Sequence, residues 1–384
     1  MDEVLCLGGL TALEYWRQVR MRVAAANVPG EYEAAKPPLL VRLLFEDDPL
    51  LDLAAMPEAS ALTAAPATLD SALAAEGVRA CVDLSAPLSC YVRNSAGRRY
   101  CAGVNTVTLG GEFPPGSFVW DARGFAVPAP ELLALLLGRA LSAGRLLMVL
   151  SELCGLYALG AAGMAAVPPL TTCEKIGAYA CELAALRRGL GQRMPRGTPA
   201  VLGILPHVTE WAASPAEAAI ALLLSLPADV GGFGLPTASL NQKIAVMGSE
   251  YICDLAWNDG ACLLEYQGET HKQRWRCMAD RRKHNALRGD GRVLLEAGRD
   301  DLMTFAGMNQ LAGVLADVLG PTCRLRQKRC FNAALTCDRK SSSVSRQRSR
   351  ASLAPAGVLA VHSSRLNCVE SLMLQAGGEN RPSL

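Results

Sequence analysis

Two acidic side chains, Asp254 and Glu265, lie in the stretch Tyr251–His271, which reads as two strands joined by a tight turn. Asp259-Gly260 is a strong hairpin signal, because a type I′ turn requires positive φ at both central residues. With those two as the turn, Asn258 faces Ala261, and Asp254 falls directly opposite Glu265. Directly opposed side chains stand roughly 5 Å apart at Cβ, and like charges there are destabilising. Folding alone gives no reason for such a pair. A divalent cation bound between the two carboxylates does.

The residues around the pair extend the same chemistry. Glu217 opens a helix in Ser214-Pro-Ala-Glu217, and Gln267 and His271 follow Glu265 closely. A basic helix over His271–Leu287 carries Lys272, Arg274, Arg276, Arg281, Arg282 and Lys283. Hydrolysis of a phosphodiester needs an activated water and a neutralised phosphate. Mg²⁺ (or Mn²⁺) on one or two carboxylates provides both. Glu217, Asp254 and Glu265 are the candidate metal ligands. Gln267 and His271 are the candidates for handling water and protons. Lys272, Arg274, Arg281, Arg282 and Lys283 are the candidates for contact with a nucleic-acid backbone. Each residue also has a plainer use. Glu217 fits a capping box with Ser214, Gln267 fits a polar strand end, His271 fits a helix start, and a basic helix is often a solvated face.

These residues must be positioned by a C-terminal α/β unit spanning 201–320. Its expected order is a helix from Ser214 to Leu224, strands at Leu240–Met247 and on both sides of the Asp-Gly turn, the basic helix, a strand at Val293–Ala297, and a last helix to Leu319. Upstream, residues 1–126 form a mixed region. It begins with a helix whose Thr11-Ala-Leu-Glu14 resembles a capping box and whose Leu13, Trp16, Val19 and Val23 repeat at helical spacing. Residues 37–78 read as Ala-rich loose helix or flexible chain. A small β-rich unit follows, with strands at Ala80–Leu84, Ser89–Arg93, Tyr100–Leu109 and Ser117–Trp120. Residues 127–200 read as a helical connector, with helices at Leu132–Leu141, Ala143–Leu156 and Thr171–Leu190, Arg187-Arg188 on the polar side of the last, and a boundary in Gly189–Pro199.

At 384 residues, 51% hydrophobic and 19% charged, the chain is long enough for two or three globular domains. The net charge of +2 hides an asymmetry. From Pro321 onward there are eleven Lys or Arg against three acids, so the remainder is net acidic. That tail, 321–384, has the low-complexity composition of a disordered segment. Leu132–Leu150 is interrupted by Arg139 and Arg145, and Cys154–Leu170 is rich in Gly and Ala. Both read as buried helices rather than membrane spans. Fourteen cysteines without a Cys-x-x-Cys pair, and an acidic Met1-Asp2-Glu3 start, lead to the expectation of a cytoplasmic protein with free thiols. Cys323, Cys330 and Cys337 have no accompanying His, which argues against zinc there.

Taken in order, Asp254, Glu265-Tyr-Gln-Gly268, His271, Asp280-Arg281-Arg282 and Gly291-Arg-Val-Leu294 resemble the PD-(D/E)XK nuclease superfamily, in the branch of very-short-patch-repair endonucleases. The resemblance spans Ser214 to Leu319. It implies a restriction-endonuclease-like α-β-β-β-α-β core and a bacterial, metal-dependent DNA endonuclease of defence or repair. Asp254, Glu265 and Glu217 would bind Mg²⁺, and His271 would act as general acid or base. Gln267 departs from the pattern, which has Lys there, or Asp in closer relatives. Glutamine has no charge to stabilise a phosphorane, so a neighbouring cation such as Lys272 or Arg282 must compensate. Otherwise the chain is an inactive nuclease-fold DNA-binding regulator. The β-rich unit followed by Val127-Pro-Ala-Pro-Glu131 is loosely similar in architecture to abortive-infection antitoxin-type regulators; a homodimer or a toxin–antitoxin-type protein partner is expected.

Overall fold

The structure is a computed structural model that describes residues 5–26, 84, 87–94, 103–121, 125–160, 163–268 and 274–320, without the side chains of 23, 25, 26, 120 and 274–279. The expected strand at Ala80–Leu84, the segment 37–78, the tail 321–384, and His271 and Lys272 lie wholly or mainly outside the described residues. Two compact units divide the chain. One comprises residues up to Leu141 together with Leu146–Ser214. The other comprises Ser142–Arg145 and the residues from Pro215 onward.

The first unit is built on a five-stranded mixed sheet of order β3-β2-β1-β5-β4, with β1 at Leu5–Leu7, β2 at Leu88–Val92, β3 at Val104–Thr108, β4 at Phe118–Asp121 and β5 at Phe125–Pro128. Helix α1 (Gly9–Ala26) is pinned to it by polar side chains on its buried face. Trp16 Nε1 donates to Pro128 O at 2.9 Å, and Tyr15 OH donates to Asp121 Oδ2 at 2.8 Å. The hydroxyl of Thr11 is not a cap for this helix. It accepts from the amide of Ser89 at 2.8 Å, so the capping-box reading gives way to a strand contact 78 residues away. The guanidinium of Arg20, fully buried, donates to three carbonyls, those of Glu152, Gly155 and Pro168.

Helices α2 (Pro130–Leu137), α3 (Ala143–Leu153) and α4 (Cys173–Gly189) fall where helical spacing placed them. Pro130 sits in the first turn of α2, and Thr172 caps α4 by accepting from Lys175 N. The run Cys154–Leu170 is a correction. It forms a β-hairpin of β6 (Tyr157–Gly160) and β7 (Gly163–Ala166) rather than a helix. A short apolar run has no periodicity to separate the two states. Arg187 is a second correction, since it is buried rather than on the polar face. It donates to the carbonyls of Gly110, Glu112 and Arg193 and lies over the Phe113 ring, 4.4 Å from its centroid. Residues 190–197 join α4 to the short helix α5 (Thr198–Ile204) and pack within this unit. Gln192 Oε1 accepts from Glu112 N.

The second unit follows the expected order α-β-β-β-α-β-α, with the last helix in two pieces. Helix α6 (Pro215–Ser225) leads to β8 (Ser239–Val246), β9 (Ser249–Trp257) and β10 (Cys262–Gln267). Then come α7 (Arg274–Gly289), β11 (Val293–Gly298), α8 (Arg299–Met303) and α9 (Phe305–Leu319). The sheet order is β11-β10-β9-β8, with β8–β9 and β9–β10 antiparallel and β10–β11 parallel. Thr304 caps α9 by accepting from Gly307 N. Ile244, Val246, Cys253, Ala256, Leu263, Leu287 and Leu294 form a buried cluster joining sheet and α7. Among the described residues no helix is long and apolar enough to cross a membrane.

Candidate functional site

The β9–β10 turn sets the register of the acids. Asn258, Asp259 and Gly260 all have positive φ (50°, 54° and 83°). Ala261 N donates to Asn258 O, as the Asp-Gly turn requires, and Gly260 N donates to Trp257 O in an overlapping turn. Gly260 suits its φ of 83°, and a Cβ there would press only on the flexible ends of Ile244 and Arg292. The strands then pair Trp257 with Cys262, Ala256 with Leu263 and Leu255 with Leu264. One more step along that register sets Asp254 against Glu265. The ladder stops short of it. Beyond the last pair the amide of Tyr266 donates to Asp254 Oδ2 at 2.7 Å, so the carboxylate takes a donor that lies past the paired residues.

On the other side of β9 the ladder is interrupted at the same residue. Leu240 pairs with Leu255 and Gln242 with Cys253, which leaves Asn241 level with Asp254. Asn241 is left-handed, at φ 48°. Its Nδ2 donates to Glu217 Oε2 at 3.0 Å. Glu217, on α6 and 8% exposed, is thus tied to β8 at the level of Asp254. Among the described residues, Glu217, Asp254 and Glu265 are not a set whose ligand oxygens all come within 4.8 Å of one another. Glu217 is held by Asn241, which stands level with Asp254 on β8.

Asp254 and Glu265 do interact. Burial first, and the nearby Glu265 second, raise the Asp254 carboxyl from its usual value to about 6; the Tyr266 amide and Lys283 work in the opposite direction. Glu265 is 7% exposed. Its Oε2 accepts from Lys283 Nζ at 2.8 Å, and the same ammonium reaches the carbonyl of Ile252. Its Oε1 is buried with no N–H or O–H donor among the described residues, and the neighbouring Cys253 thiol, a weak donor, interacts with the same carboxylate. The Cys253 thiol is pushed up to about 12, mainly by burial. Such a thiol stays protonated and does not act as a nucleophile.

Lys283, one of the basic-helix cations expected to contact a nucleic-acid backbone, instead places its ammonium on Glu265 and the Ile252 carbonyl. Arg281 and Arg282, beside it on α7, are exposed, as a nucleic-acid contact requires. Arg274 lies in the first turn of α7, with its side chain among those not described. Gln267 is at the end of β10, half-buried and paired with Gly298 of β11. Glu265 itself pairs with Glu296, whose Oε1 is engaged by His284 at 3.2 Å and Arg288 at 3.1 Å. Asn241 and the site role of Lys283 went unseen in the sequence. A positive-φ Asn inside a strand carries no local signal, and the phase of α7 against β10 is a tertiary quantity.

No protein-family model, curated protein or solved structure matches the chain.

Proposed function

We propose that the second unit is a Mg²⁺- or Mn²⁺-dependent DNA endonuclease with a restriction-endonuclease-like core. The observation that carries this reading is the Glu265 carboxylate. One of its oxygens is held by an ammonium, the other is buried with no N–H or O–H donor among the described residues and the weak Cys253 thiol as the carboxylate's further contact, and the nearby Asp254 has its own ionisation opposed by its surroundings. Leaving a buried carboxylate oxygen unsatisfied costs about 1–3 kcal/mol or more, and a divalent cation between the two acids would remove that cost. The donor set fits the ion, because all the candidate atoms are hard carboxylate oxygens. Asp254 and Glu265 would hold it directly, and Glu217 is the third candidate carboxylate. When bound, the ion supplies Lewis acidity toward the phosphate and lowers the pKa of water.

The chain's own residues do the rest. Lys283 places a positive charge at the carboxylate pair, in the role that Gln267 is unable to fill. Gln267, two residues past Glu265, orients a water through its amide, and His271 assists proton transfer. Arg281 and Arg282 on the exposed side of α7 hold the phosphate backbone. A defence or repair setting in a bacterial cytoplasm agrees with this chemistry.

A second reading, a regulator that binds DNA without cutting it, is favoured by two residues. Gln267 stands where a cation or acid is expected, and the Lys283–Glu265 ion pair neutralises a ligand without any metal. Nicking of supercoiled plasmid in Mg²⁺ or Mn²⁺ separates the two. The endonuclease reading expects Asp254→Asn and Glu265→Gln to lose on the order of a hundredfold or more in rate, with Lys283→Met losing a comparable factor. Unchanged cleavage by Glu265→Gln removes the site. DNA binding without cleavage in either metal leaves the regulator.

A further inference from the structure

We propose that Cys154, Cys173 and Glu210, in the first unit, form a binding site for a zinc-like divalent metal ion. Their two sulfurs and a carboxylate oxygen all lie within 4.8 Å of one another. The ligand–ligand edges of a tetrahedral zinc site are about 3.5–3.8 Å, given Zn–S near 2.3 Å and Zn–O near 2.0–2.2 Å, so the atoms would draw together by no more than about 1.3 Å to bind an ion.

Three separate segments are brought together by backbone bonds, which argues that the cluster is placed rather than accidental. Cys154 follows the end of α3, and its carbonyl accepts from Trp211 N at 3.0 Å. Leu156 N donates to Ala212 O at 2.7 Å. These two bonds fix Glu210 beside the end of α3. Trp211 is held at φ 66°, a left-handed conformation that costs a bulky residue free energy. Cys173 is the first residue of α4, and its amide donates to Glu210 Oε1 at 2.8 Å. Cys154 is buried, while Cys173 and Glu210 are half-buried, so the cluster lies at the edge of the core rather than wholly inside it.

The donors also select the ion. Two sulfurs suit zinc and its soft neighbours, whereas Mg²⁺ prefers oxygen throughout. A hydrogen bond to the Cys173 thiol, burial and the nearby Glu210 hold the Cys154 thiol well above its usual range, with Arg20 acting in the opposite direction, so an ion must displace its proton. Binding releases the two thiol protons to solvent.

The test uses the full chain, reduced, stripped with chelator and titrated anaerobically with Co²⁺, whose sulfur-to-metal charge-transfer and tetrahedral visible bands report thiolate ligation. The chain has fourteen cysteines, so the signal is assigned through variants and by the alkylation of Cys173 followed by mass spectrometry. The expected result is a band saturating with one equivalent and absent in Cys173→Ser. Glu210→Gln would weaken binding by about tenfold or more, and Zn²⁺ would protect Cys173 from iodoacetamide. Cys173→Ser alters a half-exposed position, and its circular dichroism and melting would verify the fold. A thiolate band unchanged in Cys173→Ser overturns the proposal. So does alkylation of Cys173 at the same rate with and without saturating Zn²⁺.

Discussion

Asp254 is the residue at which the site can be tested without any assay of activity. Its carboxyl is raised to about 6, against roughly 3.9 in an unfolded chain. The folded protein therefore holds a proton on Asp254 that the unfolded chain releases, over a window from about pH 4 to pH 6. Stability from this group is complete below that window and is lost as pH rises through it. The charges acting on Asp254 are Glu265 and Asp280 on one side and Lys283 with the Tyr266 amide on the other. A shift of two units corresponds to at most about 3 kcal/mol, and sharing within the pair lowers it. Asp254→Asn keeps a carbonyl for Tyr266 N and removes the charge. The expected outcome is a melting temperature a few degrees above wild type at pH 7.5 in chelator, with a flatter loss of stability between pH 4 and 6. Millimolar Mg²⁺ should raise the wild type and leave the variant unmoved. Equal Mg²⁺ responses in the two proteins would remove Asp254 from the cation site.

At the scale of the elements, β8 and β9 do the positioning, and they do it by breaking regularity. Asn241 interrupts the ladder at the level of Asp254 and uses its amide to hold Glu217. Asn tolerates the left-handed region, whereas Ala there costs about 1–2 kcal/mol. Losing the bond to Glu217 adds about 1 kcal/mol. Asn241→Ala should therefore lose about 2–3 kcal/mol in urea denaturation. Asn241→Gly, which keeps the backbone free but not the bond, should lose less by about the strain. Equal losses would mean that the backbone conformation carries no cost. The same strands show what was legible in advance. Alternation and the Asp-Gly turn located β9, β10 and the register that aligns Asp254 with Glu265. They did not reveal that the ladder stops one pair early, because that depends on a carboxylate competing with a strand for the Tyr266 amide. Lys283 was visible as a cation on a basic helix. Its contact with Glu265 depends on how α7 packs on Leu263 and its neighbours, which no local pattern encodes. Cys154, Cys173 and Glu210 had no motif spacing at all, since loops and a helix start converge on them.

Over the whole molecule, each unit has its own apolar cluster, one spread over the first sheet and its helices and one between the second sheet and α7. The two candidate metal sites follow the same division, with two sulfurs and a carboxylate in the first unit and carboxylates alone in the second. A ligand that binds only the folded form stabilises the unit containing its site by RT ln(1 + [L]/Kd), about 2.7 kcal/mol at a hundredfold excess over Kd. Amides that exchange only when that unit opens should slow by the corresponding factor, roughly a hundredfold, while amides of the other unit should not change. Hydrogen exchange followed by mass spectrometry resolves this by peptide. Mg²⁺ should slow peptides covering β9, β10 and α7 and leave α1, β2 and α4 untouched. Zn²⁺ should slow peptides from the end of α3 to the start of α4 and those around Glu210, and leave β9 and β10 untouched. Slowing by Mg²⁺ spread evenly over both units would show that they unfold as one, and the sites would then be energetically coupled. Slowing by Mg²⁺ confined to the first unit would contradict the assignment of the carboxylate pair as the cation site, whatever the protein does to DNA.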